Sequence, residues 1–460
     1  MEWLQAHPVA SAAVAVVVLA VLYFWKLNRA LTATPPEVLA LSPHRWTEQE
    51  IRATYSRLER QPLRWAAHLP RARPDRRYVV VGGSGGVGGQ LILHLLERGQ
   101  SPESIRNIDF RAPARPDMRT GPASRVDFVQ ADITDAASVE AAFAKSWPRS
   151  CAKAQGLTVF HTAAMIVPNE RSEATYDRVA RVNVGGTRNV LEAAQRAGAS
   201  IFIATSSAST AVRPVEYLSV WPWQRWPRNY VQALDEADFD QPLRPHDQYF
   251  GNYAHAKAVA ERIVCGANRP SFRTGAIRPA NGIYGSSVGD QLNLVHATHV
   301  SIGHLLFEAA LLDHGDRETM PGCAGRPFVI TDPNPPPSFR DIYNVCMTLA
   351  VTPCQVQMLQ PVPMLLLAYA IEFCDTLARQ LPARGQIALL QPATFSVATH
   401  TPATDAAAQK PVAEGGLGYR GVYTTLEGVC QQSNGGLGGK VEALVKEAQN
   451  VAAMPAAVGA

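Results

Sequence analysis

A tyrosine and a lysine four positions apart, in Tyr253-Ala-His-Ala-Lys257, stand well downstream of a glycine-rich stretch, Val81-Gly-Gly-Ser-Gly-Gly-Val-Gly-Gly89. On a helix that spacing puts a phenol and an ammonium on one face, where the cation can bring the phenol's pKa down toward the range of a useful base. A glycine-rich turn that holds a dinucleotide supplies a hydride acceptor, because glycines let backbone N–H groups approach a pyrophosphate at the positive end of a helix. Together they point to nicotinamide-dependent oxidation or reduction. Each half alone is weak, since Tyr-x-x-x-Lys and glycine-rich turns both recur by chance.

The elements around them fit that chemistry. Arg77 to Val81 is a short β-branched run that reads as a buried strand of a parallel sheet. Gly82, Gly85 and Gly88 follow at three-residue spacing, and Gln90 to Arg98 has helical periodicity ending at Gly99, a plausible residue just past a helix end. This is strand, turn, helix. The next strand, Ile105 to Asp109, ends on an acid roughly 20 positions beyond the last glycine, where an adenosine ribose should lie. A carboxylate there accepts from a 2′-hydroxyl and repels a 2′-phosphate, which favours NAD over NADP. Arg111, two residues on, weakens that preference and keeps NADP open. The plain reading of Asp109 is a strand-end residue capping the next turn.

Further motifs make the pattern specific. Asp132-Ile-Thr-Asp135 follows a third strand, Val159-Phe-His-Thr-Ala-Ala164 a fourth, and Asn183-Val-Gly-Gly-Thr-Arg-Asn189 lies on a helix. Thr205-Ser-Ser-Ala208 follows a fifth strand and Arg278-Pro-Ala-Asn-Gly-Ile-Tyr-Gly285 a sixth. That ordered set resembles the extended short-chain dehydrogenase/reductases. Gly325-Arg-Pro-Phe-Val-Ile-Thr-Asp332 and Leu417-Gly-Tyr-Arg-Gly-Val-Tyr-Thr-Thr-Leu-Glu-Gly428 narrow it to the 3β-hydroxysteroid dehydrogenase group, including the sterol 4α-carboxylate 3-dehydrogenases. The resemblance covers roughly residues 76 to 430.

It implies a role for each matching position. Tyr253 is the general base that takes the substrate hydroxyl proton as hydride leaves, Lys257 lowers the phenol's pKa and holds the nicotinamide ribose, and Ser207 orients the reacting oxygen. Ser206 is the runner-up, because a slip of one residue at a strand end exchanges faces. Asp132 and Ile133 match the adenine-edge contact, Ala163 and Ala164 the small residues beside which the cofactor passes. Asn183 matches the polar residue below the site, and Pro279 the one beside the carboxamide.

Plainer roles compete. Asp132 and Asp135 could cap the helix starting near Ala136. His161 packs or hydrogen-bonds locally, since no metal-ligating partner stands at suitable spacing, so no metal is expected. His255 should face away from Tyr253 and Lys257. The chain also departs from the family pattern. Val81 replaces a usual threonine, and Gly86 a bulky apolar residue, which predicts a looser turn. Ser207 and Tyr253 are 46 positions apart, with Trp221, Trp223 and Trp226 in the excess stretch 213–230. Such a loop reads as a lid over an apolar substrate, a foot in the membrane interface, or packing on the protein's own surface.

Val9 to Trp25 is an apolar run of 17 residues with Ser11 as its one strongly polar member, about 26 Å of helix, close to a thin endoplasmic reticulum core. Lys26 and Arg29 follow it while the first seven residues lack Lys and Arg, so the expectation is a single-pass anchor with the remainder facing the cytosol, not a cleaved leader. Seven cysteines without a Cys-x-x-Cys fit reduced thiols. Apolar residues make up 47% and charged ones 18%, enough for a large core, and a net charge of +4 is small. Arg57, Arg60, Arg64, Arg71, Arg73, Arg76 and Arg77 read as a basic linker on an anionic leaflet. No nucleic-acid recognition module is present.

The expected fold is α/β, a Rossmann-type doubly wound parallel sheet with a smaller C-terminal substrate-binding lobe and an N-terminal membrane anchor helix. The expected units are an anchor (1–30), a basic linker (31–75), a cofactor domain (76–285), a substrate lobe (286–430) and a flexible tail with a last helix (431–460). Pro361 to Phe373 reads as a buried or membrane-dipping helix, too short to span, and 399–415 as a surface loop. The resemblance implies NAD(P)-dependent oxidation of a secondary 3β-hydroxyl on a sterol-like or polycyclic lipid, with decarboxylation to follow if a carboxylate lies beta to the new ketone. It leaves room for a homodimer or a complex with other membrane-bound lipid-modifying enzymes. A ketoreductase or epimerase of polyketide or terpenoid metabolism is the alternative enzyme, and an inactive dinucleotide-fold membrane scaffold the alternative of another class.

Overall fold

The computed structural model describes residues 8–151, 154–218, 227–280, 282–284, 295–313, 320–350, 355–377 and 390–432. The strands are β1 (Arg76–Val81), β2 (Ile105–Asp109), β3 (Asp127–Gln130), β4 (Gly156–His161), β5 (Ile201–Thr205), β6 (Arg273–Pro279), β7 (Ile283–Tyr284), β8 (Val295–His296) and β9 (Pro327–Ile330). Among the described residues, seven of them form one sheet in the order β3-β2-β1-β4-β5-β6-β9, and β7 pairs with β8. All pairings in the large sheet are parallel, with Tyr78 opposite Ile105, Val79 opposite Val159 and Ala276 opposite Pro327. The chain winds outward from β1 to β3 and then returns to β4 on the other side of β1. That reversal opens a crevice above the carboxyl ends of β1 and β4, where ligands of such sheets sit.

Alternation along each strand supplies both faces with apolar side chains. Tyr78, Val80, Phe160 and Ile203 point into one layer with Leu91, Leu95, Leu305 and Phe307, while Val79, Val81, Val159 and Phe202 point into the other with Val139, Val190 and Val264. The helices that cover them, taken with the rest in chain order, are α1 (Pro8–Thr32), α2 (Pro36–Leu41), α3 (Glu48–Arg60), α4 (Gly86–Glu97), α5 (Ala136–Ala144), α6 (Tyr176–Ala180), α7 (Thr187–Arg196), α8 (Asn252–Gly266), α9 (Ala297–Leu312), α10 (Phe339–Leu349), α11 (Pro361–Leu377), α12 (Pro392–Val397), α13 (Ala406–Gln409) and α14 (Thr425–Gln432). Helices α4 and α9 face the first layer; α5, α7 and α8 face the second. A π turn, Arg181–Gly186, joins α6 to α7.

Three segments differ from the expected layout. The sheet does not end at residue 285: β9 adds its last strand beside β6, and α9 packs on α4, so both belong with the sheet and its helix layer. Residues 31–75 are not an open linker. Thr47 and Glu50 form a reciprocal capping box that starts α3, and Ile51 and Leu58 bury themselves against Ile342, Val345, Val429 and Cys430. Residues 399–415 are more than a loop, since α13 buries Ala408, and the adjoining chain bridges Val231 to His400 and Leu234 to Ala403. Buried Asp332 locks this half together, accepting from His296 N, Tyr284 OH and Thr425 Oγ1 and bonding His299 Nδ1 at 2.6 Å. Of the stretch 213–230, residues 219–226 with the three tryptophans fall outside the described residues while its flanks bridge at Glu216 and Arg228, and the terminal helix falls outside them too.

An 18-residue window of the N-terminal apolar stretch has a mean hydropathy of 2.1, and none of it is buried. Val9 to Trp25 of α1 is therefore a continuous apolar rod standing away from the protein body, long enough to cross a membrane.

Candidate active site

Gly82 leaves β1 with φ +88°, and its N–H donates to Ile108 O at 2.8 Å. A Cβ at Gly82 would stand 2.5 Å from the Ala163 nitrogen, and one at Gly88 only 2.3 Å from the Gly82 carbonyl oxygen. The turn can close against the end of β4 only with glycine at both places. Gly85 is the N-cap of α4 and provides no side-chain cap, so the first-turn N–H groups of a 12-residue helix face the crevice. These features fit a pyrophosphate. The looseness expected from Gly86 is offset by Arg115, which is 4% exposed and donates to the Gly86 carbonyl at 3.1 Å.

Asp109 ends β2 at the rim of the same crevice. One carboxylate oxygen accepts from Ser84 N at 3.0 Å and the other from Arg111 N at 3.1 Å, so the acid braces the glycine turn and its own turn while remaining half-exposed. Asp132 is exposed and accepts from both Thr134 N and Thr134 Oγ1 at 2.9 Å, a local turn; Asp135 is the residue that caps α5. Ile133 is buried against Gly186. Ala163 and Ala164 line the half-buried exit of β4, and Asn183 pins the following loop by bonding both Met165 N and Met165 O, at 2.8 and 2.9 Å. Pro279 is buried at the end of β6.

Tyr253 and Lys257 lie one turn apart on α8, whose N-terminus is held by Asn252: its N–H donates to Glu170 O at 2.8 Å and its side chain to Ser172 O at 2.9 Å. Ser207 at the end of β5, not Ser206, meets the phenol; Ser207 Oγ also accepts from Ser209 N at 3.2 Å. Ser206 turns inward, and its buried hydroxyl lacks a partner. Lys257 is 7% exposed and donates to the Thr205 carbonyl at 2.7 Å.

Burial dominates the electrostatics of the pair. Burial pushes the Tyr253 phenol up to about 12, and the Ser207 hydroxyl pulls it only partly back. The Lys257 ammonium donates to Thr205 and is itself brought down to about 8 by burial, with Glu261 acting in the opposite direction. The four-residue spacing correctly sets a shared face but carries no information on desolvation.

Glu261 escapes a motif reading, whereas Arg278 opens the motif that follows the sixth strand. Glu261, one further turn along α8, receives two bonds from Arg278, at 2.6 and 2.8 Å, and Arg278 also bonds Asp238. Arg278 and Glu261 are each about 1% exposed. The repeat of Tyr253, Lys257 and Glu261 at four-residue spacing was the available signal. His161 bonds Thr187 at 3.0 Å, and His255 faces away into a cluster with Tyr176, His246 and Tyr249.

Residues 79–297 match the 3-beta hydroxysteroid dehydrogenase/isomerase family. A 3 beta-hydroxysteroid dehydrogenase/Delta 5→4-isomerase of Mycobacterium tuberculosis is 33% identical over 243 residues, 52% of this chain and 52% of that protein. A decarboxylating sterol-4-alpha-carboxylate 3-dehydrogenase of Bos taurus is 29% identical over 296 residues, 58% of this chain and 68% of that protein. The chain spans about half the length of the first curated relatives it matches. A solved short-chain dehydrogenase/reductase superfamily protein from Agrobacterium tumefaciens with bound NAD aligns at 17% identity and a TM-score of 0.46, covering 81% of this chain and 99% of that one.

Proposed function

We propose, from the match of residues 79–297 to the 3-beta hydroxysteroid dehydrogenase/isomerase family, that this protein is a membrane-anchored, NAD(P)-dependent dehydrogenase. Its substrate is a secondary, 3β-type hydroxyl on a sterol-like or other polycyclic lipid. The observation that carries the reading is the meeting of the Ser207 hydroxyl with the Tyr253 phenol at the mouth of the sheet's crevice, with Lys257 one turn below.

The uncapped start of α4 receives the pyrophosphate, and Asp109 accepts from the adenosine ribose, which favours NAD over NADP. Asp132 and Ile133 flank the adenine, Ala163 and Ala164 let the cofactor backbone pass, and Pro279 adjoins the carboxamide. Bound nicotinamide supplies the hydride acceptor. Ser207 donates to the reacting oxygen and orients it, and Tyr253 removes its proton. The deprotonated phenol needs positive charge nearby, since burial alone raises its pKa. Lys257 is the one buried cation on its face of α8, and Glu261 keeps that cation charged. Where the substrate bears a carboxylate beta to the new ketone, carbon dioxide loss follows without further protein groups.

Lys26 and Arg29 at the foot of α1 support a cytosolic catalytic body on the endoplasmic reticulum. The test is Tyr253→Phe in purified membranes with a panel of 3-hydroxysterols and polyketide ketones, followed by nicotinamide absorbance. Turnover should vanish while dinucleotide binding persists. Continued turnover refutes the base assignment, and activity on polyketide ketones alone refutes the substrate class.

A further inference from the structure

Behind Lys257 lies a small cavity that the dehydrogenase chemistry above leaves unused. It holds about 10 Å3, room for one water, and its walls include His161, Thr187, Ser206, Lys257, Glu261 and Val264. All five of the polar ones are buried. They come from four elements that meet at this point: the last residue of β4, the first of α7, the one that follows β5, and successive turns of α8. The glycine turn and Tyr253 do not wall it, so the cavity lies behind the ammonium and not in the crevice.

Hydrogen bonds around the cavity fix the state of each wall. Thr187 Oγ1 donates to Asn183 O at 2.6 Å, so in its 3.0 Å bond with His161 Nε2 it is the acceptor. His161 is therefore the Nε2–H tautomer, held neutral because burial, and after it the charge of Lys257, brings its pKa down to about 3. That leaves Nδ1 as a buried lone pair, without a partner among the described residues. The Ser206 hydroxyl is in the same position. Lys257 spends one N–H on Thr205 O at 2.7 Å and has two more to place. Glu261 needs nothing from the cavity, since Arg278 donates to both its oxygens at 2.6 and 2.8 Å.

A lone pair, a hydroxyl and an ammonium thus surround a water-sized space, and three partners is the usual number for a buried water. Buried polar groups left unpaired are costly, and one molecule here satisfies all of them.

We propose that one structural water occupies this cavity, donating to His161 Nδ1, accepting from Lys257 Nζ and bonding Ser206 Oγ, and that Ser206 and His161 are positioning residues that act through Lys257. The water solvates the ammonium from behind, which favours its charged form against burial and leaves its last N–H for the crevice. The other titratable groups facing that ammonium are Tyr253 and Glu261 on its own helix, Glu261 being paired with Arg278 of β6, while β5 and α7 present Thr205, Ser206 and Thr187. The water stands on geometry alone; its effect on turnover rests on the dehydrogenase reading. A crystal structure of the full-length chain should show ordered density within hydrogen-bonding distance of Ser206 Oγ, His161 Nδ1 and Lys257 Nζ. A dry cavity, or one filled by a rotated side chain, overturns the proposal, and that readout needs no turnover. Ser206→Val then puts methyls where the water sits, whereas Ser206→Ala enlarges the space and keeps it. With a dispersed 3-hydroxysterol and NAD, the alkaline limb of kcat/KM, where the ammonium loses its proton, should move to lower pH by at least about half a unit in the valine variant and by less in the alanine one. Packing alone would lower stability without moving that limb, so an unmoved limb in a folded valine variant overturns the positioning role. A parent without turnover would refute the dehydrogenase reading instead, and the crystal alone would then decide the water.

Discussion

Replacing Lys257 with methionine should make the protein inactive and more stable. The ammonium is 7% exposed, and burial brings its pKa to about 8 from 10.5, Glu261 opposing. That difference corresponds to about 3 kcal/mol by which folding disfavours the protonated amine. The folded-state pKa lies below the unfolded one, so between pH 8 and 10.5 the unfolded chain binds more protons, and stability climbs with pH across that window. Below pH 8 the full penalty is present. Lys257→Met removes it but strips the Thr205 carbonyl of its donor, a loss of about 1–2 kcal/mol. The net expectation is a gain of about 1–2 kcal/mol near pH 7, a few degrees in Tm, that closes by pH 10. Thermal melts of both proteins in detergent between pH 6.5 and 10.5 measure it, with nicotinamide absorbance reporting lost turnover. A variant less stable than its parent at pH 7, by a margin that does not move with pH, would refute the claim that this cation is held against its desolvation.

Other consequences are as direct. Gly88→Ala forces a methyl to within 2.3 Å of the Gly82 carbonyl, so NAD affinity by fluorescence titration should fall at least tenfold; Gly266→Ala, with open space around it, should leave affinity alone. Arg278→Met leaves Glu261 charged and buried, which should cost about 3–5 kcal/mol in denaturant unfolding, and a loss under about 1 kcal/mol would show that the pair is not a buried charge pair in solution. Asp109→Ser removes the carboxylate that repels a 2′-phosphate, and the ratio of kcat/KM for NADP to that for NAD should rise at least tenfold. An unchanged ratio separates Asp109 from the ribose.

Local rules carry far in this chain. A β-branched run, a glycine turn and an amphipathic helix follow one another within 25 residues, and β1, the turn and α4 stand where that order puts them, because each element is dictated by neighbours in sequence. The seven arginines between 56 and 77 misdirect for the opposite reason. They invite a reading as linker, whereas Thr47 with Glu50, and Ile51 with Leu58, spell out a capped helix whose apolar face needs a partner. That partner arrives only from residues 339–349 and 425–432, which no local pattern identifies. The same holds for Arg278 with Glu261, which meet across β6 and α8. The phenol is the sharpest case: spacing places Tyr253 beside Lys257, but the direction of its pKa follows from the packing around it, a property of the whole fold.

The contact of α3 with α14 also has a consequence in time. Arg57 and Glu427 form their 2.6 Å pair across 370 residues of chain, and Leu63 N bonds Gln431 across 368. A ribosome adding roughly 5–20 residues per second leaves the apolar face of α3 without α14 for about 20–70 s. Until residues 425–432 emerge, that face lacks its partner, and closure of the seam waits on them.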